Sequence, residues 1–144
     1  MRQAICTQDT LKLTAKTRGF HLITTDVAAK LATITMPTFG TLHLFLQHTS
    51  ASLAISENTC DDVALDLEQA LDRLAPEKAF YRHSVEGSDD MPAHIKNVLL
   101  GTSLTLAITH HTLNLGTWQG IFLCEHRNHA PPRKLILTIQ GWND

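Results

Sequence analysis

Apolar and polar positions alternate along both ends of this chain, whereas a helical period of three to four residues appears only in the middle. The run at 41–48 is apolar at nearly every residue, which is typical of a strand covered on both faces. Turn residues bound each alternating run. The pattern predicts strands over residues 2–14, 20–24, 33–36, 41–48, 53–56, 102–109, 118–126 and 133–140.

The first two predicted helices are short and medium in length. Residues 27–31 form a brief helix, and Thr25 with Asp26 would cap it by accepting hydrogen bonds from first-turn N–H groups. A longer helix runs from Asp61 to Pro76, because apolar residues recur there at helical spacing. Its predicted inward face consists of Val63, Leu67, Ala70, Leu71 and Leu74.

A third helix is predicted to begin at Asp89 or Asp90, with a proline in its first turn, and to end at Gly101. Its apolar residues suggest a buried face made of Ile95, Val98 and Leu99. Helices between two groups of strands predict the α+β class. The expected fold is a single domain over residues 1–144, a largely antiparallel β-sandwich or barrel-like arrangement of sheets with two or three helices packed on them.

Composition narrows the function classes. A formal net charge of −2 argues against a nucleic-acid partner held by phosphate neutralisation. No apolar run approaches the roughly 20 residues of a membrane helix, so no membrane partner is expected. The three cysteines lie far apart and form no Cys-x-x-Cys pair, and the first residues lack the apolar core of a signal peptide. We therefore expect a cytoplasmic protein with reduced thiols.

Nine histidines are the compositional outlier, and residues 83–94 concentrate two of them with three carboxylates. His83, Glu86, Asp90 and His94 are the candidates for chemistry in this stretch. Asp90 has two alternative roles, as a helix cap or as a carboxylate that orients or ligates beside an imidazole. The segment matches no known metal signature.

Two further stretches carry polar groups at predicted strand ends. The segment 47–52 places His48 beside the hydroxyls of Thr49, Ser50 and Ser52, which are suited to phosphate oxygens, although an ordinary hydroxyl-rich turn explains it equally well. No Gly-x-Ser-x-Gly elbow is present, which argues against a nucleophilic serine.

The segment 116–120 places Thr117 and Gln119 among glycines that allow close backbone approach. Glu125, His126 and Arg127 follow at the end of the next predicted strand, and the guanidinium fork of Arg127 matches phosphate or carboxylate. Alone, this segment is explained by a glycine bulge and a charged strand end. Together, the four regions predict one polar pocket for a phosphorylated small molecule with a divalent ion, magnesium or zinc, and no organic cofactor.

These stretches resemble the YjbQ family of small proteins, and the resemblance covers most of residues 19–141. The matching segments are 47–53 (QHTSASL), 57–58 (EN), 86–87 (EG), 89–96 (DDMPAHIK), 101–104 (GTSL), 115–121 (LGTWQGI) and 125–127 (EHR). The resemblance implies a compact fold of sheets packed against helices, a homotrimer with sites near subunit contacts, and a metal in a histidine-rich pocket. Its ligands would be drawn from His48, His83, His94 and His126. Two departures are Asp61, where the family often has proline, and a proline-containing late loop in place of a glycine-rich one.

The resemblance also implies a secondary thiamine-phosphate synthase activity, which joins a pyrimidine diphosphate to a thiazole phosphate and releases pyrophosphate. In this hypothesis His83 is the acid–base residue, and Asp90, Glu86 and Glu125 are the catalytic carboxylates. The ligand and phosphate groups would be Thr49, Ser50, Ser52, Asn58, Thr117, Gln119 and Arg127. The alternatives are a metal-dependent hydrolase and a non-catalytic trimer that binds a phosphorylated metabolite.

Overall fold

A computed structural model describes all 144 residues as eight strands and three helices. The helices are α1 (Thr24–Leu31), α2 (Asp61–Leu74) and α3 (Asp90–Leu100). The strands are β1 (Gln3–Leu13), β2 (Gly19–Leu22), β3 (Phe39–Leu46), β4 (Ala51–Glu57), β5 (Ser103–Thr109), β6 (Thr112–Leu113), β7 (Gln119–Glu125) and β8 (Arg133–Asn143). None of the helices is both long enough and apolar enough to cross a membrane.

The strands form two antiparallel sheets, and the predicted α+β domain is confirmed. The large sheet has the order β1-β8-β3-β5-β6, and the small sheet has the order β2-β7-β4. A core of 16 buried apolar residues includes side chains from both sheets and from α1. Helix α2 packs on β2 and α3 packs on β4, so the small sheet carries both helices.

Three local predictions in the first half are wrong. Residues 33–36 form no strand, because the chain winds off the end of α1 through a hydrogen bond from Ile34 N to Leu31 O. Strand β3 is covered on one face only, since Thr41 and Phe45 are exposed while their neighbours are buried. Helix α1 starts before the proposed caps, and its N-cap residue makes no side-chain hydrogen bond.

The predicted inward face of α3 is also wrong. Val98 and Leu99 are largely exposed, whereas Lys96 is fully buried. The rotation of the helix is set by polar contacts, because Asn97 Nδ2 donates to His48 O at 3.1 Å and to Ala51 O at 2.7 Å. The same face brings the side chains of residues 90 and 94 toward the edge of the small sheet, which is the position of the candidate site.

Candidate functional site

Asp90, the first residue of α3, lies at the centre of a cluster of charged and imidazole groups. Its side chain is only 1% exposed. Asp90 Oδ2 lies 2.7 Å from His83 Nε2 and 3.3 Å from His94 Nε2, and Oδ1 accepts a hydrogen bond of 2.7 Å from Arg127 Nη1. The proposed capping role is wrong, because α3 has no side-chain cap hydrogen bond. The second predicted role of Asp90, a carboxylate beside an imidazole, matches the geometry.

The hydrogen bonds of His94 define where its proton lies. His94 Nδ1 donates to Thr49 O at 2.7 Å, because a carbonyl oxygen can only accept. In the neutral ring, Nε2 therefore carries a lone pair and no hydrogen, and it lies 3.3 Å from the Asp90 carboxylate. Two acceptors that face each other repel unless a proton or a cation lies between them. A proton on His94 Nε2 or a bound cation would satisfy this arrangement.

The donor set fits a divalent metal ion. One ligand atom each from His83, Asp90 and His94 can be chosen so that all three lie within 4.8 Å of one another. Two imidazoles and one carboxylate are typical of zinc and other transition metals rather than of magnesium. His83 is 46% exposed, so this side of the cluster is open to solvent. Such a three-ligand set leaves coordination positions for an exogenous group.

Arg127 supports this cluster from behind. Its Nε donates to Asp89 Oδ2 at 2.9 Å and its Nη2 to Glu86 O at 2.8 Å, in addition to the bond to Asp90. Burial acts to raise the pKa of Asp90, but the hydrogen bond from His83 and the nearby positive charges hold that pKa below its usual value. Since Arg127 uses all three of its nitrogens inside the chain, it positions the loop rather than presenting a free anion anchor.

Glu125 forms a separate, buried ion pair with Arg133, and Ser50 is hydrogen-bonded to the same arginine. Arg133 Nη2 donates to Glu125 Oε2 at 2.6 Å and its Nε to Oε1 at 2.7 Å, and the Glu125 carboxylate is fully buried. The same guanidinium donates to Ser50 Oγ at 2.9 Å. His48 Nε2 accepts a hydrogen bond from Lys134 N at 2.9 Å. Glu125, Ser50 and His48 therefore have partners within this second cluster, outside the three-ligand group.

His126 and Ser52 lie between the small sheet and the two helices. Ser52 Oγ is 3.0 Å from His126 Nε2, and both residues are almost completely buried. Burial, reinforced by the charge of Lys96, lowers the pKa of His126 to about 3. The imidazole is therefore neutral at physiological pH. Neither residue has the exposure that contact with a substrate requires.

We expect His126 to make the protein less stable in mild acid. In the unfolded chain it takes up a proton as the pH falls through about 6.5, whereas the folded chain keeps it neutral to about pH 3. Its contribution to stability is therefore complete above pH 6.5 and decreases as the pH falls from 6.5 to 3. By pH 5 this loss is about 2 kcal/mol. Urea unfolding at pH 7.5 and pH 5 measures it.

The matched variant is His126→Gln, which cannot titrate. Between pH 7.5 and pH 5 the free energy of unfolding of this variant should fall by about 2 kcal/mol less than that of the unmodified chain. An identical pH dependence in both proteins would show that His126 is not the group responsible.

Three of the predicted ligand residues lie at the other end of the small sheet. Asn58 Nδ2 donates to Gln119 O at 3.1 Å, and Gly116 N donates to Gln119 Oε1 at 2.8 Å, so these side chains stabilise a turn together with Thr117. Strand β7 separates this turn from Glu125 by six residue steps, or about 20 Å. Within one chain, the structure therefore divides the single predicted pocket into two regions.

The sequence interpretation missed three residues that hold the site together. Arg133 pairs with Glu125, Lys96 Nζ donates to Asp72 at 2.7 Å, and Asn97 fixes α3 to β4. A signal existed for Arg133, because strand alternation places it on the same face as the buried Leu135 and Leu137. Nothing in the helical pattern distinguished Lys96 from a solvent-exposed lysine.

The fold and the cluster define a small α+β protein with a candidate two-histidine, one-carboxylate metal site. A family model described as "UPF0047 protein YjbQ-like" matches residues 9–142. The chain belongs to this YjbQ-like UPF0047 family. It is 49% identical over 134 residues to the UPF0047 protein YjbQ of Escherichia coli O157:H7, covering 93% of this chain and 97% of that protein. It is 41% identical to a UPF0047 protein of Synechocystis, over 93% of this chain and 91% of that one.

Solved structures share the fold. A crystal structure of a YjbQ/UPF0047 protein from Clostridium acetobutylicum has 34% identity and a TM-score of 0.75, over 92% of this chain and 98% of that one. A conserved hypothetical protein from Thermus thermophilus has 33% identity and a TM-score of 0.75, over 89% and 97%. The names of these relatives state no reaction. The function is therefore inferred from the geometry of the site.

Proposed function

We propose that this chain is a metal-dependent enzyme that acts on phosphorylated small molecules. The observation that supports the proposal is the convergence of His83, Asp90 and His94 on one point beside solvent. A divalent ion held there would neutralise charge on phosphate oxygens and act as a Lewis acid. The donor types favour zinc over magnesium.

The roles of the other residues follow from their contacts. Arg127 and Asp89 orient the start of α3, which carries Asp90, and Thr49 O fixes the ring of His94. The side chain of Thr49 is exposed and is the predicted phosphate-binding hydroxyl that can meet a ligand. Glu86, also exposed, remains available for proton transfer, because His83 cannot both ligate an ion and act as acid and base.

The first reaction to test is thiamine-phosphate synthesis, in which the ion would balance the charge of the departing pyrophosphate. The assay combines the purified protein, the pyrimidine diphosphate and the thiazole phosphate with zinc or magnesium. We expect product formation to fall at least a hundredfold in His94→Ala. It should be retained in His43→Ala, a change on the outer face of the large sheet. Equal turnover in the two variants would overturn the metal-site role in this reaction.

Metal-dependent hydrolysis is the second candidate, because a three-ligand site with open positions is also typical of hydrolytic zinc enzymes. The same assay without the thiazole phosphate distinguishes the two. Phosphate or pyrophosphate release that needs the metal but not the acceptor favours the hydrolase. Thermal stabilisation by the diphosphate with no product indicates a binding protein instead.

The proposal includes self-association as a homotrimer in the cytoplasm. Several large apolar side chains are exposed on a single chain, including Phe80, Val85, Val98 and Leu99. Large apolar side chains exposed in this way are candidates for contact with another subunit. The three cysteines are free thiols, which suits a reducing compartment. Sedimentation equilibrium should give the mass of three chains, and a monomer at micromolar concentration would contradict the trimer.

A further inference from the structure

A second cavity lies between α1 and the β5–β6 hairpin, away from the cluster of His83, Asp90 and His94. Its volume is about 640 Å³, compared with about 370 Å³ for the cavity beside His83. Thr24 lines this cavity, and its Oγ1 accepts a hydrogen bond from Ile121 N near the start of β7. Arg127, which contacts Asp90, follows the other end of β7, so the cavity and the Asp90 cluster lie at opposite ends of that strand. Volumes between about 300 and 1,000 Å³ are typical of small-molecule sites.

Short side chains on α1 create the space. Ala28 and Ala32 are four residues apart on one face of the helix, and they line the cavity together with Thr24 and Leu31. The opposite walls include Ile34, Met36 and Leu115, which are half-buried and packed against the core. The apolar lining is therefore concave and already supported from behind.

His111 adds an imidazole acceptor to this mostly apolar lining. His111 Nδ1 donates to Met36 O at 2.9 Å, so Nε2 of the neutral ring is an acceptor. The hydroxyl of Thr112 donates its hydrogen to Thr109 O at 3.1 Å, so its oxygen is also left as an acceptor. His110 and His111 have φ values of 49° and 65° in a two-residue hairpin turn, where asparagine and glycine are favoured. The turn thus places an imidazole at the cavity, at a position where asparagine or glycine is the more common residue.

We propose that this cavity binds a small, mostly apolar molecule with one hydrogen-bond donor, such as a hydroxyl on an aromatic ring or a short aliphatic chain. The body of the molecule packs against the methyl groups of α1, and its donor meets His111 Nε2. A second copy of the chain is the less suitable occupant. The exposed apolar side chains that are proposed above for subunit contact, among them Phe80, Val98 and Leu99, lie outside this cavity.

The test uses 2-naphthol as the donor-bearing probe and 2-methoxynaphthalene as the same ring system without the donor. Binding is measured by isothermal titration calorimetry with the full chain. We expect Ala28→Leu to weaken 2-naphthol binding at least tenfold, because the added atoms occupy the cavity. Ala29→Leu is the matched control, since it adds the same atoms at the adjacent residue of α1, which does not line the cavity. It should change binding less than twofold.

Two further variants complete the test. Ala32→Leu fills the cavity from another position, so a folding defect in one variant does not decide the outcome. We expect the unmodified chain to bind 2-naphthol about fivefold more tightly than 2-methoxynaphthalene. His111→Asn keeps a residue that tolerates positive φ but removes the imidazole, so it should abolish this preference.

Three results would overturn the proposal. The first is the absence of saturable binding of 2-naphthol to the unmodified chain. The second is equal affinity of the cavity-filling variants and Ala29→Leu. The third is a change of oligomeric mass in Ala28→Leu and Ala32→Leu, which would show that a second copy of the chain covers the cavity.

Discussion

Asp90→Asn should lower the affinity for zinc more than about a hundredfold. In the proposed metal site the carboxylate would supply the negative ligand, and asparagine keeps its volume without its charge. Loss of groups that only orient metal ligands already costs about 10- to 100-fold in affinity, so loss of a ligand should cost more. Asparagine also offers one acceptor where the carboxylate offers two, to His83 and to Arg127. The affinity is measured by competition with a chromogenic chelator at pH 7.5.

Asp62→Asn is the matched control for this experiment. Asp62 is an exposed carboxylate in the first turn of α2, so the same atoms change without contact with the cluster. Its affinity for zinc should equal that of the unmodified chain. Zinc binding by Asp90→Asn with unchanged affinity would contradict the assignment of Asp90 as a ligand.

Arg133→Met should destabilise the fold by about 3–5 kcal/mol, the usual effect of removing one partner from a buried ion pair. Glu125 has no exposed surface, and the guanidinium is its only charged partner in the chain. Methionine retains the apolar stem of the side chain but leaves a buried carboxylate without its counter-charge. Urea unfolding at pH 7.5 gives the free energy.

The control for this prediction is Arg2→Met. Arg2 pairs with Asp144 at 3.0 Å, but both side chains are more than half exposed. The expected loss is below about 1 kcal/mol, as for most surface pairs. The double variant Glu125→Leu/Arg133→Met should recover much of the stability lost in Arg133→Met. If Arg133→Met and Arg2→Met lose the same free energy, the buried pair does not have the role described.

The strands and the cluster of candidate residues within 83–94 were predictable because their signals are local. Alternation with period two predicts a strand wherever one face meets a core, and β8 shows this clearly over 11 residues. His83, Asp90 and His94 lie within twelve residues of sequence, so a short loop and one helical turn suffice to bring them together. No long-range information was needed for that part of the site.

The combined pocket was not predictable because it depends on register between strands distant in sequence. Pairing of Ala51 with Glu125 and of Glu57 with Gln119 places the hydroxyl-rich turn at one end of the sheet and Asn58 at the other. A list of strand ends does not show which ends meet. The prediction of a strand over 33–36 was wrong for a related reason. Its β-branched residues favour a strand, but hydrogen bonds at the end of α1 outweigh that preference.

The face of α3 shows the limit of hydrophobic periodicity. Val98 and Leu99 are apolar yet exposed, whereas Lys96 is buried because Asp72 of the neighbouring helix pairs with it at 2.7 Å. The orientation of this helix follows from polar contacts with partners 24 to 49 residues away. Periodicity within a single helix carries no information about such partners.

The proposed metal site requires that His83, Asp90 and His94 together hold one divalent ion. A crystal grown with equimolar zinc, with diffraction recorded above and below the zinc absorption edge, tests it most directly. We expect one strong anomalous peak per chain, about 2.0–2.2 Å from a nitrogen of each histidine and from an Asp90 oxygen. A fully formed site with no peak there, or a peak held instead by other histidines, would contradict it.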